Sequence, residues 1–249
     1  MKPHLSRYWL HAKMDDPAEF VEQVEEICDL YAQAKVLEQA GVHLVSTDEM
    51  TGIQALERAA PTLPMHRGQV ERVEFEYIRH GTLSLIANFV VSSGRIVRPT
   101  LGPTRNEADF VAHVRHTVEG DPHAGWVFIL DQLNTHQSAS LVEFVAAQCG
   151  ITDDLGEKEK RGILQCMASR AAFLTEGEHR IRFVYTPKHC SWLNQIEIWF
   201  GILVRRLLKR GSFASVEELH ARILEFIEYF NRTMAKAFKW TYTGRPLAA

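Results

Sequence analysis

The chain has no long apolar run, no paired cysteines, no phosphate-type glycine loop and no excess of basic charge, and each gap removes a class of protein. No stretch approaches the ~20 apolar residues needed to cross a bilayer. The N-terminus, M-K-P-H-L-S-R-Y-W-L-H-A-K, has no apolar core of the kind that marks a secretory leader. Cys28, Cys149, Cys166 and Cys190 form no C-x-x-C pair and are too sparse for a disulfide-stapled scaffold, which suits reduced thiols in a soluble, cytoplasmic protein without a membrane partner. Without a Gly-rich phosphate cradle, ATP-driven chemistry is disfavoured. A formal charge of −3 is unlike a free-standing DNA-binding module, so any basic surface for nucleic acid must be local or lie on a separate module.

What is present is an ordinary globular composition, 46% hydrophobic and 24% charged over 249 residues, sufficient for a real core. Residues 16–37 read as a helix: Asp16 can cap it, Pro17 suits the first turn, and Phe20, Val24, Ile27, Tyr31 and Ala34 form its apolar stripe. A short strand, His43 to Thr47, then ends at Asp48. Residues 52–72, with Pro61, Pro64 and Gly68, read as a loop insertion. Strand-like segments follow at Glu74–His80, Leu83–Val91 and Ile96–Thr100.

Thr104 and Glu107 have capping-box spacing ahead of a helix that buries Phe110, Val111, Val114 and Val118. Trp126–Leu130 is apolar without alternation, the pattern of a central strand covered on both faces, and runs straight into Asp131. A helix over 138–148 stops at Gly150. Residues 151–179 are charged, punctuated by glycine, and read as an exposed insertion with one helix. Ile181–Tyr185 is a further strand, followed by a helix over 192–210 that Gly211 ends. Ser215 and Glu218 cap a last helix that buries Val216, Leu219, Ile223, Phe226, Ile227 and Phe230. This order predicts an α/β fold, a mixed sheet with helices on its faces.

Three acids stand at telling places. Asp48 and Asp131 follow strands, and Glu197 falls in the first turns of a helix. If the two strands are parallel neighbours, both Asp side chains leave the same sheet edge, and a helix beside that edge can add Glu197. Hard cations such as Mg²⁺ prefer carboxylate oxygens, and a pair of them clamps the attacking and leaving oxygens of a phosphoryl displacement. Each residue alone has a plainer reading. An Asp after a strand also suits a turn or a helix cap, and Glu197 also suits a solvated position beside the stripe Leu193, Ile196, Phe200, Leu203 and Leu207.

The stretch Y-T-P-K-H-C-S-W-L-N-Q-I-E-I-W, residues 185–199, resembles the P-x-x-S-x-x-L-N-x-I-E-x-x-W signature of DDE transposases of the mariner-related insertion-sequence group, with the Ser191–Asn194 spacing one residue tighter. Asp131–His136 resembles that group's D-N-x-x-x-H motif, with Gln132 in place of Asn, and Asp48-Glu49 resembles its first motif. The resemblance runs from about Asp48 to Phe230.

It implies a ribonuclease H-like fold with Asp48, Asp131 and Glu197 as catalytic, metal-holding acids, loaded with Mg²⁺ or with Mn²⁺ as a substitute. It implies a transposase that cuts DNA at transposon ends and joins the freed 3′-hydroxyl to target DNA, acting as a homo-oligomer on DNA. The 66 positions between Asp131 and Glu197 exceed the usual interval, which fits the insertion at 151–179. Residues 1–40 hold one helix rather than the family's helix-turn-helix, so a separately encoded recognition module is a further expected partner. The expected division is a helical segment or linker over 1–40, a catalytic unit over 41–235 and a tail over 236–249.

Around the three acids, Gln132, His136 and Asn194 are the expected supporting residues. Lys188, Arg205, Arg206, Lys209 and Arg210 are candidate phosphate contacts, although helix-end charges that offset the macrodipole look the same in sequence. His113 and His116 form an H-x-x-H without a third ligand, too little for zinc. Trp192, Trp199, Phe200, Phe226, Phe230 and Trp240 read as core rather than base-stacking residues. Two rival readings use the same residues: a ribonuclease H-like nuclease without strand transfer, and a non-catalytic remnant that only binds.

Overall fold

The six residues Gly125–Leu130 include no charged or amide side chain, so this strand is stable only with cover on both faces. It has that cover. Trp126, Phe128 and Leu130 join one apolar cluster, and the alternating Val127 and Ile129 join another. The computed structural model describes residues 17–242. In chain order its elements are α1 (Pro17–Gln39), β1 (Val42–Arg58), β2 (Tyr77–Val90), β3 (Ile96–Gly102), α2 (Glu107–Val118), β4 (Gly125–Leu130), α3 (Ala139–Cys149), α4 (Met167–Thr175), β5 (Ile181–Tyr185), α5 (Ile196–Leu203) and α6 (Val216–Thr233).

The five strands form one sheet in the order β3-β2-β1-β4-β5. β1, β4 and β5 run parallel, and β2 and β3 pair antiparallel at the other side. On one face Phe110 and Val114 of α2, Leu141 and Phe144 of α3 and Leu174 of α4 pack over Val45 and Phe128. On the other, α1 lays Val24, Ile27 and Tyr31 against Leu44 and Ile129, while α5 and α6 cover β2. The α6 stripe Leu219, Ile223, Ile227 and Phe230 recurs every three or four residues, so all four side chains are buried together. Each contributes on the order of 1.5–3 kcal/mol by leaving water.

Several boundaries differ from those expected. β1 does not stop at Asp48 but continues to Arg58, and the two segments expected before Val91 are one strand, β2. The supposed loop at 52–72 is therefore partly a two-stranded ribbon, whose far end leaves Met65, Val70 and Phe75 exposed. The α2 cap is Asn106 with Asp109, not Thr104 with Glu107; the Thr104 hydroxyl instead donates to Asp109 Oδ2 at 2.6 Å. Residues 151–179 supply α4 and bury Leu164 and Leu174 in the core, so the segment is only partly peripheral. The helix expected over 192–210 is a 3₁₀ turn, then α5, then a π turn at Val204–Leu208. The expected Asp16 cap lies outside the described residues. Among those residues no helix is long and apolar enough to cross a membrane.

Candidate functional site

Ser46 pairs with Ile129 in the parallel β1–β4 ladder, so two residues further on Asp48 and Asp131 lie level at the edge where β4 ends. β1 outruns its neighbour at that point, which leaves Asp48 beside an open edge although it is inside a strand. Glu197 reaches the same edge through α5. The backbone N–H of Ile196, the first residue of α5, donates to Ser46 Oγ at 2.8 Å, and the Ser46 hydroxyl donates to Asn194 Oδ1. Asn194 Nδ2 donates to the Thr47 carbonyl at 2.9 Å and to Asp48 Oδ2 at 3.2 Å. Ser46 and Asn194, both buried, thus tie the start of α5 to β1, with Glu197 in the first turn where the helix dipole favours a carboxylate. Tyr31 of α1 fixes the preceding turn by donating to the Leu193 carbonyl at 2.6 Å.

Neighbouring acid charge reaches two of the three carboxylates. Burial pushes the Asp48 carboxyl up to about 7; the Glu49 backbone N–H opposes this, and the charges of Asp131, Glu197 and Glu49 add to it. Burial and then the Asp131 charge raise Glu197. Asp131 moves the other way: burial alone would raise it, but hydrogen bonding and the charge of His136, the Leu133 N–H and Arg105 hold it below the usual carboxylate range.

His136 sits in the 3₁₀ turn after β4 with its ring fully buried. Its Nδ1 donates to the Asp131 backbone carbonyl at 3.1 Å and pairs with the carboxylate Oδ1 at 2.8 Å, while its Nε2 donates to Glu49 Oε1 at 3.0 Å. Burial would lower this imidazole, yet the bonds to Asp131 and Glu49 push it up to about 10. Gln132 Nε2 donates to the Thr186 carbonyl at 3.1 Å and so joins the loops after β4 and β5.

The remaining candidates divide by position. Lys188 is exposed on the wall of a cavity of about 300 Å³ that also touches Asp131, Gln132 and Ser191. Arg205, Arg206, Lys209 and Arg210 are exposed too, but Arg205 begins roughly 12 Å along the helix axis from Glu197, at about 1.5 Å per residue. They do not colour the field at the third carboxylate, where the nearby charge is Asp131. The H-x-x-H pair is split between inside and outside. His113 is buried, shares a hydrogen with Thr100 Oγ1 at 2.8 Å and is held down to about 3 by burial and the neighbouring histidines, while His116 is exposed. Trp192 is half exposed rather than core.

Sequence reading missed two residues. Glu49 reads as part of an acidic pair with Asp48, and nothing local says that it meets His136, 87 positions away. Arg105, which acts on Asp131 through space, lies on the α2 entry loop far from any motif. Among the described residues no three His, Cys, Asp or Glu side chains stand ready around a metal position. The fit to a cation therefore rests on donor chemistry: three carboxylates, two of them raised by burial and then by neighbouring acid charge, both of which a hard cation offsets.

A mixed sheet whose parallel strands present two carboxylates at one edge, with a helix start adding a third, is a ribonuclease H-like arrangement. The family description "DDE superfamily endonuclease" matches residues 43–220, and the chain belongs to that superfamily. Its fold is similar to that of the Mos1 mariner paired end complex with Mn, with a TM-score of 0.51 and 13% identity over 92% of this chain and 62% of that one. It is similar also to the Mos1 transposase paired-end complex with left transposon end, with a TM-score of 0.51 and 12% identity over 91% of this chain and 61% of that one. The chain thus spans about six-tenths of the length of these proteins. No curated protein matches it.

Proposed function

We propose that the chain is the catalytic domain of a cut-and-paste DNA transposase. In this reading Asp48, Asp131 and Glu197 hold Mg²⁺, or Mn²⁺ in its place, cleave a phosphodiester at the transposon end and join the freed 3′-hydroxyl to target DNA. The observation that carries it is Asp48, Asp131 and Glu197 at one sheet edge, with Asp48 raised by burial and then by the charges of the other two, in a DDE-superfamily endonuclease. Bound divalent cations supply charge stabilisation to the attacking and leaving oxygens of an in-line displacement.

The chain's own residues do the rest. Asn194 and Ser46 set the distance between β1 and α5, and so between Asp48 and Glu197. His136 and the Leu133 N–H keep Asp131 ionised, ready as a ligand. Lys188, beside the cavity at Asp131, is placed to take a phosphate near the reacting bond. Arg205, Arg206, Lys209 and Arg210 would hold more distant backbone and align the duplex rather than assist the chemistry. The solved paired-end complex with left transposon end supports DNA as the partner, and in this reading the chain acts on it as a homo-oligomer.

The test is nicking of supercoiled plasmid in Mg²⁺ or Mn²⁺, with a second assay for joining of a 3′-hydroxyl oligonucleotide. Wild type should nick and join, while Asp48→Asn, Asp131→Asn and Glu197→Gln should each do neither. Nicking without joining would make the chain a nuclease of the same fold. No cleavage by wild type would leave a binding remnant.

A further inference from the structure

Asp48 and Glu49 are adjacent on a strand, so their side chains leave opposite faces of the sheet and cannot serve one site together. Asp48 turns to the α5 side, where Asn194 meets it. Glu49 turns to the α2 side, where its side chain is 2% exposed and would be costly to bury without a partner. Its partner is His136, whose ring is fully buried and lies against Phe110 with centroids 4.2 Å apart. The other ring nitrogen donates to the Asp131 carbonyl at 3.1 Å and pairs with its Oδ1 at 2.8 Å. A continuous path therefore runs from Glu49 through one imidazole to the second carboxylate of the site.

The loop that carries His136 does not need Glu49 to keep its shape. Tyr185 OH donates to the His136 carbonyl at 2.8 Å, the His136 N–H donates to the Leu133 carbonyl at 2.9 Å, and Arg170 Nε donates to the Gln137 carbonyl at 2.6 Å. What Glu49 alone supplies is an acceptor on the far side of the ring. With Nδ1 held on the Asp131 carbonyl at one end, that acceptor pins the imidazole at the other and keeps Nδ1 beside the Asp131 carboxylate. The Leu133 N–H also donates to Asp131 Oδ1 at 3.1 Å, but the side chain is 40% exposed at the rim of a cavity, and among the described residues its Oδ2 has no hydrogen bond.

We propose that Glu49 is a positioning residue of the carboxylate site, holding Asp131 in its ligand orientation through His136. The inference rests on the reading of Asp48, Asp131 and Glu197 as a cation site. It gives Glu49 a role apart from the three acids, one that lies in orienting a ligand rather than in touching substrate. Groups that orient metal ligands from behind typically change metal affinity about 10–100-fold when removed.

The experiment is a Mn²⁺ titration of the full chain, followed by electron paramagnetic resonance, with the thermal midpoint recorded for every variant. Glu49→Leu should bind Mn²⁺ about tenfold more weakly, and Glu49→Gln, which keeps an acceptor oxygen for the imidazole, should return most of that loss. In a His136→Gln background Glu49→Leu should change the affinity no further, because the path to Asp131 is already cut. A folded Glu49→Leu chain with wild-type affinity would overturn the proposal, as would an undiminished loss in the His136→Gln background. Should Glu49→Leu fail to fold alone, the double variant against His136→Gln decides, and any further weakening counts against the proposal. Asp131→Asn separates the two readings. If it binds Mn²⁺ as wild type does, or if wild type binds none, the cation site itself fails and this proposal with it. If Asp131→Asn loses Mn²⁺ while Glu49→Leu does not, the positioning role alone is wrong.

Discussion

Asp48 is the residue at which burial and function pull apart. In the metal-free chain its carboxyl sits near 7, against an ordinary value of 3.8, because burial and the neighbouring acids disfavour its charge. A folded-state value above the unfolded one means that the protonated form stabilises the fold. That contribution is complete below about pH 4 and is lost as pH rises through about 7. Asp131, held low, contributes in the opposite sense, so the Asp48 effect is best isolated by difference. The thermal midpoint of wild type minus that of Asp48→Asn, both metal-free, should fall between about pH 5 and about pH 8. An Asn there sets one amide against the Asn194 amide, which shifts the difference by a constant but does not tilt it. Added Mn²⁺ should flatten the tilt, since a cation favours the charged carboxylate. A difference independent of pH would mean that Asp48 is as freely solvated as a surface acid.

At the scale of elements, the decisive join is between β1 and the start of α5. Ser46 is fully buried, accepts the Ile196 N–H and donates to Asn194. Ser46→Ala leaves both groups short of a partner and should destabilise the chain by about 1–3 kcal/mol, measured by chemical denaturation. Plasmid nicking should fall further than that loss of folded chain explains, because Glu197 loses its anchor; nicking that tracks the folded fraction would contradict this. Gly94 supplies a second element-scale test. Its φ is +73°, and a Cβ there would lie 1.9 Å from the Lys236 carbonyl oxygen. Gly94→Ala should therefore lower stability by more than the ~1 kcal/mol of a left-handed penalty alone, by pushing the segment after α6 off the β2–β3 turn.

The legible parts of the fold were those with a single strong pattern. β5 falls at the expected Ile181–Tyr185, and α3 lies within a residue of the expected 138–148, with Ser138 as its cap and a left-handed Gly150 at the expected stop. The ribbon of β1 and β2 is not legible: beyond Asp48 only Ile53 and Ala55 alternate as buried residues, and register shifts after Met50 and after Ala55 cut that pattern short. Asp131 and Glu197 could be named because they stand at the end of β4 and the start of α5, and Asp48, which lies inside β1, through its resemblance to the first motif. Glu49 and Arg105 could not, because their partners come from other parts of the chain.

For the whole molecule, a net charge of −3 with a basic segment just after α5 predicts weak, salt-sensitive binding to duplex DNA. The slope of log affinity against log salt should drop by about 0.9 for each phosphate contact removed. Replacing Arg205, Arg206, Lys209 and Arg210 by Ala should thus remove up to roughly 3–4 units. An unchanged slope would assign these exposed side chains to solubility and helix termination. Because they stand well away from Glu197, the quadruple variant should still bind Mn²⁺ as wild type does.

The central claim is that one sheet edge holds divalent cations between Asp48, Asp131 and Glu197. Anomalous scattering from Mn²⁺ in crystals of the full chain tests it most directly. The account predicts anomalous peaks touching all three carboxylates, about 4 Å apart where two ions bind, and their loss in Asp131→Asn. A Mn²⁺-saturated crystal with no peak at that edge, or with its strongest peak on other residues, would contradict it.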